Sequence, residues 1–294
     1  MSVTDVEPGE PRSETLLLRC PLRLGLAANL TRFVYEHGGR ILSHEQYVDP
    51  GIQHYYTRLR WDVSGFTLPD AEIAPHLAAV IGDGPDVAWS LHPSDAMARL
   101  AVFVSKDPTC LYDLLARTRS GEWRAEVALV VANHPDLEPV ARTFGVPFHA
   151  FALTKENKTE IEEAQIALLR SARVDLVVLA RYMQIVTGRF VEEYPSRIIN
   201  IHHAFLPAFP GARPYHAARA RGVKVVGATS HYVTETLDAG PIIEQDVRRV
   251  THRQSVRDLI RLGRDLEKVV LARAVWSHIR HKIIVHEGRT VVFD

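Results

Sequence analysis

Asn200, His202 and Asp238 are the three residues of this chain whose types and positions suit attack on a carbonyl. Residues 197–202 read as a strand, because Arg197, Ile198 and Ile199 form a short, partly β-branched run entering a loop rich in proline and glycine. Side chains alternate along a strand, so Asn200 and His202 share one face and Ile201 takes the other. The loop from Leu206 to Gly211 cannot continue a ladder, since Pro207 and Pro210 lack an N–H. Asp238 stands just before Ala239, Gly240 and Pro241, a second sharp break. An amide donor and a protonated imidazole would stabilise an oxyanion. The imidazole can also pass a proton to a leaving nitrogen, while the carboxylate orients the imidazole and a water. A plainer reading fits the same residues: a strand end, two loop histidines (His202 and His203) and an aspartate that opens a turn. Spacing alone leaves both open.

The elements around these residues alternate. Residues 100–104, 127–131 and 174–179 are nearly continuous apolar runs, which suit strands buried on both faces of a parallel sheet. Helical segments are expected between them at 111–119 and 159–173, the second with Ile161, Ala164, Leu168 and Leu169 on one face. This pattern predicts an α/β, doubly wound, mostly parallel sheet, whose ligands bind beyond the carboxyl ends of the strands. Asn200 and His202 lie at such an end. Strands are expected at 225–233 and 242–250. Ser255 with Asp258 reads as a capping box opening a helix to about residue 281. A hairpin at 283–286 and 290–293 turns at Glu287–Gly288 and is expected to cover the edge of this domain.

Ahead of this lies a different alternation. Residues 1–13 read as a flexible tail. A strand at 16–20, a helix with Leu26, Leu30, Phe33 and Val34 on one face, strands at 41–48 and 55–63, a helix with Ile73, Leu77, Val80 and Ile81, and a strand at 86–91 follow. The order β-α-β-β-α-β is ferredoxin-like. Two domains are therefore expected, at 14–94 and 95–294, with a linker near 94–99.

Composition narrows the function classes. Hydrophobic content of 46% is enough to build cores rather than a disordered chain. Lys+Arg and Asp+Glu both number 35, so there is no basic footprint for nucleic acid. No apolar run approaches a membrane span, and the acidic opening lacks the apolar core of a signal peptide, so a soluble, cytoplasmic protein is expected. Cys20 and Cys110 fall in different domains without a paired-cysteine motif, which suggests neither a disulfide framework nor a zinc site. The 15 histidines include His202, His203, His216 and His231, which could cluster, but no metal-binding spacing supports a metal, and none is expected.

NIHHAFLPAFPGARPYH at 200–216, GATSHYVTETLDAGPII at 227–243 and GRDLEKVVLARAV at 263–275 resemble the folate-dependent formyltransferase family, and within it the formyltetrahydrofolate deformylases. The resemblance covers about 96–294, with a matching domain before it. It implies hydrolysis of 10-formyltetrahydrofolate to formate and tetrahydrofolate, feeding formate to one-carbon metabolism and purine biosynthesis, with folate as substrate and no cofactor. The family's catalytic Asn, His and Asp fall on Asn200, His202 and Asp238. Its pterin-holding loop falls on Met183, Gln184, Ile185 and Val186, with His231 and Gly240 also in the folate-binding set. A flat heterocycle needs such apolar faces with a few placed donors and acceptors. Ala204 departs from the pattern, where the family usually has Ser. The motif 133–136, Asn-His-Pro-Asp, is either a contact for the folate tail or a simple turn.

The first domain resembles an ACT domain, a module that often binds an amino acid between paired copies. This implies a homo-oligomer and an amino-acid effector. Where the usual motif is Pro-Asp-Arg-x-Gly, this chain has Pro21, Leu22, Arg23, Leu24 and Gly25. Leu22 removes an acidic group that could hold an ammonium, so sensing and pure oligomer contacts stand as alternatives. Two alternatives to hydrolysis also stand, namely formyl transfer to another amine and a silent folate or amino-acid sensor. Against a phosphorylated acceptor, residues 104–110 contain no glycine, a proline without a donor, and the carboxylate of Asp107.

Overall fold

The computed structural model describes residues 11–207 and 214–294. Residues 1–10, most of the expected tail, lie outside them. The first elements in chain order are β1 (Ser13–Pro21), α1 (Leu26–Glu36), β2 (Arg40–Asp49), β3 (His54–Asp62), α2 (Asp70–Ile81) and β4 (Ala88–Pro93). Then come β5 (Ala98–Val104), α3 (Thr109–Ser120), β6 (Ala125–Ala132), α4 (Glu138–Phe144), β7 (Phe148–Ala150), α5 (Lys158–Ser171), β8 (Leu176–Leu179) and α6 (Gly188–Glu193). The last are β9 (Ile198–His202), α7 (Pro214–Arg221), β10 (Val225–Tyr232), β11 (Ile242–Arg249), α8 (Val256–Ile279), β12 (Ile283–His286) and β13 (Arg289–Val292). The chain forms two compact units.

In the N-terminal unit four strands lie in the order β2-β3-β1-β4, with each neighbouring pair antiparallel, which is the ferredoxin-like arrangement. Alternation sends Leu16 and Leu18 to the face that buries Leu30, Phe33, Ile73 and Leu77 of the two helices. Leu17 and Tyr56 point the other way and are buried with Ile284 and Phe293. This corrects the reading that gave all of 95–294 to one domain and laid the terminal hairpin on its edge. Residues 280–286 and 291–294 belong with the N-terminal unit, because the second face of its sheet needs apolar cover. Arg58 reinforces the attachment, donating from Nε to the carbonyl of His281 at 3.0 Å. A second correction concerns the tail: Ser13 already belongs to β1, pairing with Asp62 and donating its N–H to Ser94 Oγ at 2.9 Å.

The second unit is built on seven strands in the order β11-β10-β9-β8-β5-β6-β7. β5 to β9 are mutually parallel, and β10 runs antiparallel to both neighbours. Phe103, Val131, Val177 and Ile198 meet Ile166, Leu169 and Phe190 of α5 and α6 on one face. α3 and α8 pack on each other and on the sheet. Burying each such side chain stabilises by about 1.5–3 kcal/mol, which is why strands with no polar face settle between two helical layers. The capping box forms as expected: Ser255 N–H donates to Asp258 Oδ2 at 3.0 Å, and Asp258 N–H donates to Ser255 Oγ at 3.2 Å. The predicted face of α5 is corrected. Glu162, Gln165, Ile166 and Leu169 are buried, and Ala164 is exposed. Glu162 turns inward because its carboxylate accepts the Thr187 amide at 3.2 Å and the Thr187 hydroxyl, bracing the start of α6.

Candidate active site

β9 ends with Asn200 and His202, and β10 runs back beside it with His231 directly opposite Asn200 and Thr229 opposite His202. Opposed residues on neighbouring strands share a face, so the register brings the amide and both imidazoles together. The chain then leaves β10 through a loop in which Asp238 adopts a left-handed backbone, φ 55°. Aspartate tolerates that region better than most residues. The turn aims its carboxylate at the strand pair. Asp238 Oδ2 lies 3.3 Å from His202 Nδ1, and Oδ1 lies 3.8 Å from His231 Nε2.

Each polar atom has a place. His231 Nδ1 lies 2.9 Å from the carbonyl of Tyr232, so in the neutral ring it carries the hydrogen and Nε2 is left as acceptor. Burial pushes the His231 pKa down, which favours that neutral form. Asn200 Nδ2 donates to this Nε2 at 3.3 Å, fixing which end of the amide is the donor. The 3.8 Å gap to Asp238 exceeds a hydrogen bond. His203 stacks on His202 at 5.1 Å between ring centres. Burial and the neighbouring imidazole hold its pKa down at about 4, so its ring is uncharged at neutral pH. His202 Nε2 is buried and has no hydrogen-bond partner among the described residues.

These residues line a cleft of ≈ 360 Å³ together with the segment after β8, which contributes Met183, Gln184, Ile185 and Val186. Met183 and Ile185 are 62% and 57% exposed. Met183 is therefore a cleft wall rather than a core residue. Ser105 pins the segment from behind: its hydroxyl donates to Asn133 Oδ1 at 2.7 Å and accepts the Met183 amide at 3.0 Å. The motif at 133–136 thus supports the segment through Asn133 and then enters a single helical turn, Pro135–Leu137.

Gly240, expected in the folate-binding set, is not among the residues that line this cleft. A Cβ there would stand 1.7 Å from the Tyr232 carbonyl oxygen, the acceptor of the His231 ring. Glycine is needed for that close approach, and its role is to let the loop pack on β10. His216 is exposed on α7 and does not join the other histidines. Among the described residues no three His, Cys, Asp or Glu side chains are grouped to hold a metal ion. At Ala204 the turn is held by its backbone. Thr229 Oγ1 donates to the Ala204 carbonyl at 2.9 Å and accepts the Leu206 amide at 3.0 Å.

Residues that the sequence left unremarked brace the rim. Glu267, on α8, is fully buried. It takes the Arg181 guanidinium and accepts the Tyr215 hydroxyl at 2.8 Å. Gly263 makes room, since a Cβ there would meet the Tyr215 oxygen at 1.9 Å. Glu267 follows Gly263 by one helical turn, among Leu266, Val270 and Leu271, so a carboxylate on an apolar stripe was the available signal.

A parallel sheet with an antiparallel β10, carrying an amide, an imidazole and a carboxylate at the carboxyl end of its strands, defines a formyltransferase-type domain. The Formyl transferase family model matches residues 98–275. The chain is 50% identical over 279 residues to a formyltetrahydrofolate deformylase of Synechocystis sp., covering 95% of this chain and 98% of that one. A solved formyltetrahydrofolate deformylase from Pseudomonas syringae pv. tomato superposes with a TM-score of 0.94 at 37% identity, covering 98% of this chain and 96% of that one. Glycinamide ribonucleotide transformylase 1 from Symbiobacterium toebii superposes with a TM-score of 0.64 at 32% identity, over 72% of this chain and all of that one. The chain belongs to the formyltetrahydrofolate deformylase family.

Proposed function

We propose that this chain is an enzyme that hydrolyses 10-formyltetrahydrofolate to formate and tetrahydrofolate. The observation that carries the reading is the state of His202: one ring nitrogen held by Asp238, the other buried without a partner on the wall of the cleft, beside the Asn200 amide. The pterin lies against 183–186, and the N-formyl group lies over Asn200 and His202. Asp238 takes a proton from water as its oxygen adds to the formyl carbon. The resulting oxyanion is stabilised by the Asn200 amide and the His202 imidazolium. As the carbonyl re-forms and the C–N bond breaks, His202 donates its proton to the folate nitrogen. The product acid loses its proton to solvent. The proton on Asp238 returns to the imidazole, so both groups start the next cycle as before.

The N-terminal unit serves as an ACT-like regulatory or oligomer-forming module in this reading, and the working species is a homo-oligomer in the cytoplasm. Leu22 and Leu24, before α1, are 43% and 103% exposed, an apolar pair that favours contact with another chain over capture of an ammonium group. No helix among the described residues is long and apolar enough to cross a membrane.

The test mixes purified protein with 10-formyltetrahydrofolate and follows tetrahydrofolate, with and without glycinamide ribonucleotide. Turnover in water alone is expected. Turnover that requires the ribonucleotide, or folate binding without turnover, would replace the hydrolase with a transferase or a sensor.

A further inference from the structure

A second cavity, of ≈ 520 Å³, adjoins the cleft and shares Arg181, Met183 and Gln184 with it. Any acceptor larger than water would have to enter beside the formyl group, and this cavity is the adjoining space. Lys106, Arg181 and Arg264 give it three cations. Paired guanidinium groups bind phosphate through charge-assisted, often bidentate bonds, so this lining by itself would make an anion site.

Asp107 changes that. Its Oδ2 lies 2.9 Å from Arg264 Nε and 3.5 Å from Arg181 Nε, charge contacts made without hydrogen-bond geometry, and its Oδ1 accepts the Thr109 amide at 3.0 Å. Glu267 holds Arg181 as well. Burial works against ionisation of Asp107, but the Thr109 bonds and the two guanidinium groups outweigh it and keep its pKa below the ordinary range. The carboxylate is therefore charged at neutral pH, and two carboxylates, Asp107 and the buried Glu267, stand against the three cations.

We propose that Asp107 is a specificity-determining residue: its carboxylate occupies the two guanidinium groups that would otherwise bind a phosphate monoester, so the cavity admits water and refuses a phosphorylated acceptor. The proposal rests on the hydrolytic reading above. A competing role is purely local, in which Asp107 only accepts the Thr109 amide at the start of α3. Asn at the same position keeps that acceptor and removes the charge, so Asp107→Asn separates the two.

The experiment titrates the full chain with inorganic phosphate and with ribose 5-phosphate, at ionic strength held constant with sodium chloride. Binding is read by calorimetry and by phosphorus line width, and hydrolysis of 10-formyltetrahydrofolate is followed in parallel. Asp107→Asn is expected to bind both phosphates at least about tenfold more tightly than the wild type. Adding Arg264→Gln should cancel the gain. Phosphate should inhibit hydrolysis by Asp107→Asn and not by the wild type, because the two spaces share Arg181. Equal phosphate affinity in wild type and Asp107→Asn, or a gain that survives Arg264→Gln, overturns the proposal. If Asp107→Asn fails to fold, Asp107→Ser keeps an acceptor for Thr109 and carries the same expectation. A wild type that hydrolyses nothing would sink the hydrolase reading, and the phosphate titrations would still decide the role of Asp107.

Discussion

Asp238 and Asp107 are both nearly buried, with side chains 14% and 12% exposed, at the walls of adjoining spaces. They differ in what they face. Asp238 faces two imidazoles, at 3.3 and 3.8 Å, and Asp107 faces two guanidinium groups, at 2.9 and 3.5 Å. An imidazole exchanges its proton near neutral pH, whereas a guanidinium keeps its proton throughout. The first arrangement can carry a proton through a reaction cycle. The second can only fix charge. One residue type thus serves turnover in one place and selection in the other, and the partner decides which.

If this contrast is right, breaking the arginine-side network should appear mainly in stability, and breaking the imidazole side mainly in rate. The largest effect is expected at Glu267. Glu267→Ala takes the main partner from the half-buried Arg181 guanidinium and the acceptor from the Tyr215 hydroxyl, which costs about 3 kcal/mol; a urea melt of the variant measures it. A loss under 1 kcal/mol would remove Glu267 from the rim's support. Next, Asn200→Ala deletes an oxyanion donor, worth about 3 kcal/mol of barrier or roughly a hundredfold or more in rate, with a smaller loss of stability, about 1 kcal/mol, from the His231 acceptor it strands. Stopped-flow release of tetrahydrofolate checks the rate.

The smallest effect concerns His203. Its folded pKa of about 4 lies below the ordinary 6.5. The unfolded chain therefore takes up this proton at a higher pH than the folded one does. The stability contributed is fully present above pH 6.5 and is lost as the pH falls toward about 4. Glu14 acts in the opposite sense, since burial raises its pKa to about 7. His203→Gln should therefore make the acid-side decline shallower without altering the Glu14 contribution. Melts at several pH values between 4 and 7 measure the slope, and an unchanged slope would place the His203 ring in water.

What the sequence disclosed follows the range of the interactions. Asn200 and His202 were legible because a short strand fixes their shared face. The box at Ser255–Asp258 was legible because it is local, whereas the segment 183–186 was marked out only by the family resemblance. The βαββαβ order and the parallel sheet followed from hydrophobic period. Contacts made far along the chain left no such trace. Nothing near Asp107 announces that Arg181 and Arg264 will reach it, and nothing near 162 announces Thr187. The terminal hairpin carries short β-branched runs that fit either unit, and it took the open face beside Leu17 and Tyr56. Gly240 shows the same limit: its turn was evident, but the Tyr232 carbonyl that requires a glycine belongs to another strand.

The most direct measurement of the central account is the rate of formate release by Asp238→Asn, in water, with folding monitored on the same sample. Asn keeps the shape and removes both the charge and the basic site that takes a proton from water. The His202–Asp238 pairing predicts a fall of at least about a hundredfold at an unchanged melting temperature. Release within a few-fold of wild type by the folded variant would contradict it.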